Sequence, residues 1–200
     1  MNRTQQTKLI KTEGVFSQPK YKNYLNCILI KLQLETMGLF QKSVLTEYLK
    51  KQDSIAVENA YKKFVKYFYN PITQQNIRDI NEEGFQQKFL MELFVNCFGY
   101  VINPDPYYNL TTEFKNLKDA KKADGAILVE GKAIGVIELK GTNTKNLEKC
   151  RQQAFDYKSN HPTCKYVITS NFEKLRFYIN TSDEFEEFNL FTLTEKLPCN

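Results

Sequence analysis

Tryptophan is absent from this chain of 200 residues, and histidine occurs once, as His161. A single histidine cannot build a multi-histidine metal centre. It stands in the polar stretch SNHPT, predicted to be a surface turn, and is assigned no catalytic part. Cysteine occurs five times, an odd number, at wide spacings and without a CxxC pair. That argues against a disulfide framework or a zinc knuckle and points to a reducing, cytoplasmic setting. No apolar run reaches the roughly 18 residues of a membrane span. The start, MNRTQQTKLIKTEG, has no apolar core of a signal peptide. Neither a membrane anchor nor a secretory leader is therefore expected. A Walker A loop, a GxGxxG fingerprint and internal repeats are also missing, which removes the usual support for nucleotide binding.

What is present suits a globular chain: 42% of residues are hydrophobic and 26% charged. The length allows one large domain, or a domain with a smaller appendage, and a substantial core. Charge is uneven. Residues 1–75 hold 12 Lys+Arg against 5 Asp+Glu, whereas residues 76–200 hold 16 against 18. A basic front segment suits a polyanion partner, but at this density solvated helix faces are the stronger reading.

Residues 23–69 read as helices. KNYLNCILIKLQLETM crowds apolar residues on one face, and SVLTEYLKKQ and IAVENAYKKFVKYFY follow with helical spacing. Asp53-Ser54 marks a start and Asn70-Pro71 a stop. ITQQNIRD is predicted to be a linker, which sets a helical N-terminal segment at 1–75 and a second domain at 76–200. EEGFQQKFLMELFVNCFGY is a helix stopped by Gly99. Then come three strands (YYNLTTEFKN, AILV and AIGVIEL), a helix (TKNLEKCRQQAFDYKSN) and two or three more strands (KYVITS, KLRFYIN and, less regular, FEEFNLFTL). This order predicts an α/β fold, a mixed central sheet flanked by helices.

The stretch KADGAILVEGKAIGVIELKG carries the chemistry. The chain has five acid-x-Lys triplets, at Glu113/Lys115, Asp119/Lys121, Glu130/Lys132, Glu138/Lys140 and Asp156/Lys158, but only Glu138/Lys140 ends an apolar run. Residues two apart on a strand share a face. Taken alone, the pair reads as an ion pair on a half-buried strand. Asp124 alters that weighing. The tight turn Glu130-Gly131-Lys132 folds the two strands back antiparallel, so Asp124 comes opposite Glu138. Two carboxylates and a lysine then converge at one sheet end. Like charges so close raise a pKa unless a cation lies between them, and hard oxygen donors suit Mg²⁺ or Mn²⁺.

Asp124 followed by Glu138-x-Lys140 on the far arm of a hairpin, with the order αβββαβ, resembles the PD-(D/E)xK nuclease superfamily, whose core is the restriction-endonuclease fold. Gln153-Ala-Phe-Asp-Tyr157 fits the Gln-x-x-x-Tyr motif of its DNA-processing branches. EGFQQKFLMELF, ADGAILVEGKAIGVIELKG, QQAFDYK and YVITSNFEKLRFYI are together similar to the N-terminal nuclease segment of large restriction-modification enzymes, type IIG or type I-like. There the nuclease is fused to, or associated with, methyltransferase, specificity or motor modules. The likeness covers about residues 77–193, and the first 75 residues carry none of the motifs it rests on. It implies Mg²⁺-dependent hydrolysis of DNA, with Mn²⁺ able to substitute, leaving a 5′-phosphate and a 3′-hydroxyl. Asp124 and Glu138 would ligate the metal and Lys140 would position the attacking water. Gln153 and Tyr157 would contact phosphate or hold the catalytic strand. The family often adds an acidic residue from the first helix, and Glu82 and Glu83 both qualify, with Glu83 taken as the supporting residue. The chain departs from the pattern at Ala123, where the motif has proline, and Pro104-Asp105 is treated as a decoy. Two alternatives stay open: a catalytically silent nuclease fold that binds DNA, and a protein-interaction domain in which helices 23–69 dock a partner.

Overall fold

The computed structural model describes Leu39 and residues 42–115 and 122–193. The helix expected over KNYLNCILIKLQLETM and the Asp119/Lys121 triplet lie outside the described residues.

Helix α1 spans Lys42–Lys50 and α2 spans Ser54–Phe68. Asp53 caps α2 by accepting from the backbone N–H of Ile55 and Ala56. The Asn70-Pro71 pair then stops one helix and starts the next. ITQQNIRD, predicted to be a linker, belongs to α3, Pro71–Asp79. Asn70 accepts from the N–H of Ile72 and Thr73, and the fixed φ of Pro71 suits a first helical turn. Residue 75, the expected boundary, thus falls inside a helix. Helix α4, Glu82–Phe89, is capped by Asn81 and widens into a π-helical stretch, Leu90–Cys97, that buries Leu90, Leu93, Phe94 and Cys97. Gly99 ends it at a φ of 75°, open to glycine without steric cost.

Six strands make one mixed sheet in the order β1-β2-β3-β4-β5-β6 among the described residues. They are Leu110–Lys115, Lys122–Val129, Lys132–Leu139, Tyr166–Ser170, Lys174–Ile179 and Phe185–Asn189. Neighbours run antiparallel except β3 and β4, which are parallel and joined through helix α5, Glu148–Ser159. The β2–β3 turn places Glu130 and Gly131 at φ of 51° and 74°, the left-handed pair that a tight antiparallel hairpin requires.

Helices cover both faces of the sheet. On one, Phe64, Phe68, Phe85, Phe89 and Leu93 share a core with Ile137, Leu139, Ile168 and Leu175. Phe172 joins them, with ring centroids 4.9 Å from Phe85 and 5.2 Å from Phe89, the edge and tilted contacts that aromatic rings favour. On the other face, α5 lays Ala154 and Tyr157 over Ala123, Val136, Val167 and Tyr178. His161 follows α5 in a turn, but its side chain is buried, with its ring 5.0 Å from that of Phe114. The turn matches the prediction and the exposure does not. Burial lowers its pKa, so the imidazole stays neutral.

Candidate active site at one end of the sheet

The β2–β3 ladder sets the geometry. Gly125 pairs with Ile137, Ala126 with Val136 and Ile127 with Gly135; the register shifts only beyond Ile127, towards the turn. One step past Gly125 and Ile137 brings Asp124 level with Glu138. The Asp124 carboxylate accepts from the Leu139 backbone N–H at 2.7 Å, which clamps it to the end of β3. Tyr157 on α5 donates its hydroxyl to the Lys122 carbonyl and so ties down the strand that carries Asp124. Lys140 Nζ donates to Glu138 Oε1 at 3.0 Å. Its own backbone N–H donates to the Ser170 carbonyl at 2.8 Å, which continues the β3–β4 pairing one residue further.

Two residues from α4 complete the cluster. Glu82 reaches Lys140 Nζ with Oε1 at 3.4 Å and accepts from the Gly141 N–H with Oε2 at 3.0 Å. Gln86 donates Nε2 to Asp124 Oδ1 at 3.2 Å and to Glu82 Oε1 at 3.4 Å. Glu82 rather than Glu83 joins the site: successive helical residues are rotated by about 100°, and Glu83 is exposed. Gln86 escaped the sequence reading. The available signal was its i, i+4 spacing from Glu82, which places both on one helical face. Gln153 is half-buried on α5 and makes no side-chain hydrogen bond among the described residues. Asp105 lies in the loop before β1, where Asn103 bonds Leu110 and Leu110 pairs with Ile127, at the far end of the sheet from Asp124.

Electrostatically the cluster is crowded with negative charge. Glu138 is 1% exposed. Burial first, and the neighbouring Asp124 carboxylate second, push its pKa up to about 7 in spite of Lys140. Asp124 is also raised, by burial, against the pull of the Leu139 N–H and Lys140. Burial alone would lower Lys140, but Glu138, Glu82 and Asp124 outweigh it and raise the ammonium, which stays protonated. The Cys150 thiol, 3.4 Å from the Glu138 carbonyl, is pushed up to about 12 by burial and is an inert wall rather than a nucleophile.

Among the described residues no three His, Cys, Asp or Glu side chains form a ready-made metal cage. A cation such as Mg²⁺ does not need one: it keeps several waters and is held through one or two carboxylates and a substrate phosphate. The residues fit that demand. Glu138 Oε2 is buried with no hydrogen-bond partner among the described residues. A cation between Asp124 and Glu138 would also offset the burial that raises both and the Asp124 repulsion that adds to it at Glu138.

No described helix is long and apolar enough to cross a membrane. Comparison with curated proteins and with solved structures found no match. A family model does match, over residues 63–197, from the middle of α2 through the whole sheet and across every residue of the cluster. The family is described as "MmeI, N-terminal domain", a part of type IIG restriction-modification enzymes, and the chain belongs to it.

Proposed function

We propose that this domain is the DNA-cleaving part of a restriction-modification system, a metal-dependent endonuclease of the PD-(D/E)xK kind. The observation that carries the reading is the meeting of Asp124, Glu138 and Lys140 at one sheet end, with a buried, unpartnered carboxylate oxygen among them. Asp124 and Glu138 would hold a Mg²⁺ or Mn²⁺ ion. When bound, that ion supplies charge neutralisation at phosphoryl oxygens and a more acidic water. Lys140 is protonated and has no lone pair, so it acts as a donor: it orients the attacking water or takes the charge growing on the phosphoryl group. Water adds to phosphorus as the P–O3′ bond breaks. The water's proton leaves to solvent and the 3′-oxygen is protonated, giving a 5′-phosphate and a 3′-hydroxyl. Glu82 holds Lys140, and Gln86 with the Leu139 N–H holds Asp124.

One observation favours a second reading. Lys140 already bridges Glu138 and Glu82, so the group could be a self-contained ion cluster on a silent, DNA-binding or protein-docking fold. A Mn²⁺ titration of the wild type, Asp124→Asn and Glu138→Gln separates the two, paired with plasmid cleavage in Mg²⁺. A nuclease site binds one ion that both variants lose, together with cleavage. Equal Mn²⁺ binding by all three proteins would leave the ion cluster as the answer.

A further inference from the structure

On the face covered by α5, a polar row runs across the sheet from Glu138. Glu138 pairs with Thr169 of β4, Thr169 with Arg176 of β5, and Arg176 with Glu187 of β6. Partners in adjacent strands stand on the same face, about 4.8 Å apart. The outer end of the row is satisfied: Arg176 Nε donates to Glu187 at 2.6 Å and Arg176 Nη1 to Glu148 on α5 at 2.9 Å. The inner end is not. Thr169 and Tyr178 are both 0% exposed. Glu138 Oε2 is buried without a hydrogen-bond partner among the described residues. Thr169 Oγ1 and Tyr178 OH, also buried, have at most a weak, poorly aligned contact with each other and, for Tyr178, with Arg176. Tyr178 is two residues beyond Arg176, hence on the same face. Burial pushes its phenol up, while hydrogen bonding from Arg176 and Thr169 pulls it back.

Folded proteins leave few buried polar atoms unpaired, and ordered water makes up most apparent deficits. An unpartnered carboxylate oxygen with two poorly satisfied hydroxyls on the neighbouring strands of the same face is a concentrated deficit. We propose that Thr169 and Tyr178 are positioning residues for Glu138, their hydroxyls holding one ordered water against Glu138 Oε2. The water accepts from Thr169 and Tyr178 and donates to Oε2. Lys140 fixes Oε1 from the other side, so the carboxyl is restrained through both oxygens. An oxygen with two lone pairs can take this water and still face a cation. The proposal rests on reading Glu138 as a metal ligand. Partners behind such ligands typically govern metal affinity by about 10- to 100-fold.

The test combines a crystal structure of the chain that resolves waters with Mn²⁺ binding by Thr169→Val, Thr169→Ser and Tyr178→Phe. The expected result is one water within hydrogen-bonding distance of all three atoms in the wild type and lost in Thr169→Val. Mn²⁺ affinity should fall about tenfold in Thr169→Val and recover in Thr169→Ser, with the melting temperature unchanged or raised. Should Thr169→Val fail to fold, Tyr178→Phe carries the same comparison. Absence of the water from well-ordered wild-type density overturns the proposal, as does undiminished Mn²⁺ affinity in the folded variants. If wild type and Glu138→Gln bind Mn²⁺ alike, the metal reading fails, and the crystal density alone still decides the water.

Discussion

Replacing Glu138 by Gln should make the metal-free protein more stable at alkaline pH and leave it nearly unchanged at acid pH. Glu138 releases its proton near pH 4.5 in the unfolded chain but only at about 7 in the fold. The native state therefore holds a proton that the unfolded state has lost across this window. Wild-type stability falls as pH rises through it and is flat on either side. The gap corresponds to about 3 kcal/mol. Gln keeps an oxygen for Lys140 and does not titrate, so the variant lacks that decline. Asp124 is raised in the same direction, but it titrates in both proteins and cancels to first order in the difference. The raised Lys140 contributes stability below its own pKa and does not titrate in this window. Any packing cost of the amide moves the whole curve and not its slope. By pH 8 the variant should gain about 3 kcal/mol relative to its position at pH 4.5, or roughly 6–12 °C in melting temperature for a chain of this size. Thermal melts in chelator across pH 4.5–8 measure this. Parallel curves for the two proteins would refute the view that burial and a neighbouring carboxylate penalise the charged form of Glu138 in the fold. In the wild type, added Mn²⁺ should reverse the decline; in the variant it should do nothing.

Gln86→Leu removes the donor shared by Asp124 and Glu82, so Mn²⁺ affinity should drop by about tenfold with little change in melting temperature; unchanged affinity would make Gln86 incidental. Tyr157→Phe leaves the Lys122 carbonyl without its hydroxyl donor and should cost about 1 kcal/mol in urea unfolding, with cleavage reduced because the Asp124 strand is loosened. A chain starting at residue 76 should not fold, since it loses the buried Phe64 and Phe68 at about 3–5 kcal/mol each; a cooperative melt of that fragment would contradict the shared core. Lys62, Lys63 and Lys66 are exposed on α2, so the triple alanine variant should fold normally. If those lysines touch DNA backbone, the salt slope of binding should shrink by up to about 3; an unchanged slope assigns α2 to packing alone.

Much of the fold can be read without coordinates because its signals are local. The β2–β3 hairpin follows from Glu130-Gly131 between two apolar runs, and its register then brings Asp124 level with Glu138. Helix α5 and the alternating strands after it show in their periodicity. The local pattern misleads where one signal has two meanings. Asn70-Pro71 signals a stop, and the same Asn70 side chain also caps the next helix. SNHPT has the polarity of a wet turn, and nothing local shows the Phe114 ring that packs against His161.

The sequence by itself determined the α/β order, the hairpin and the adjacency of Glu138 and Lys140, because strand period and turn chemistry act over a few residues. Only the tertiary structure decided that Glu82 rather than Glu83 meets Lys140, since the rotation of α4 is set by Phe85 and Phe89 seeking the core. Likewise, it alone brought Gln86 to Asp124 and aligned Glu138 with Thr169 across a parallel pair. Those contacts join elements 31 to 58 residues apart. Their geometry comes from packing whole helices against the sheet, and no short-range pattern encodes it.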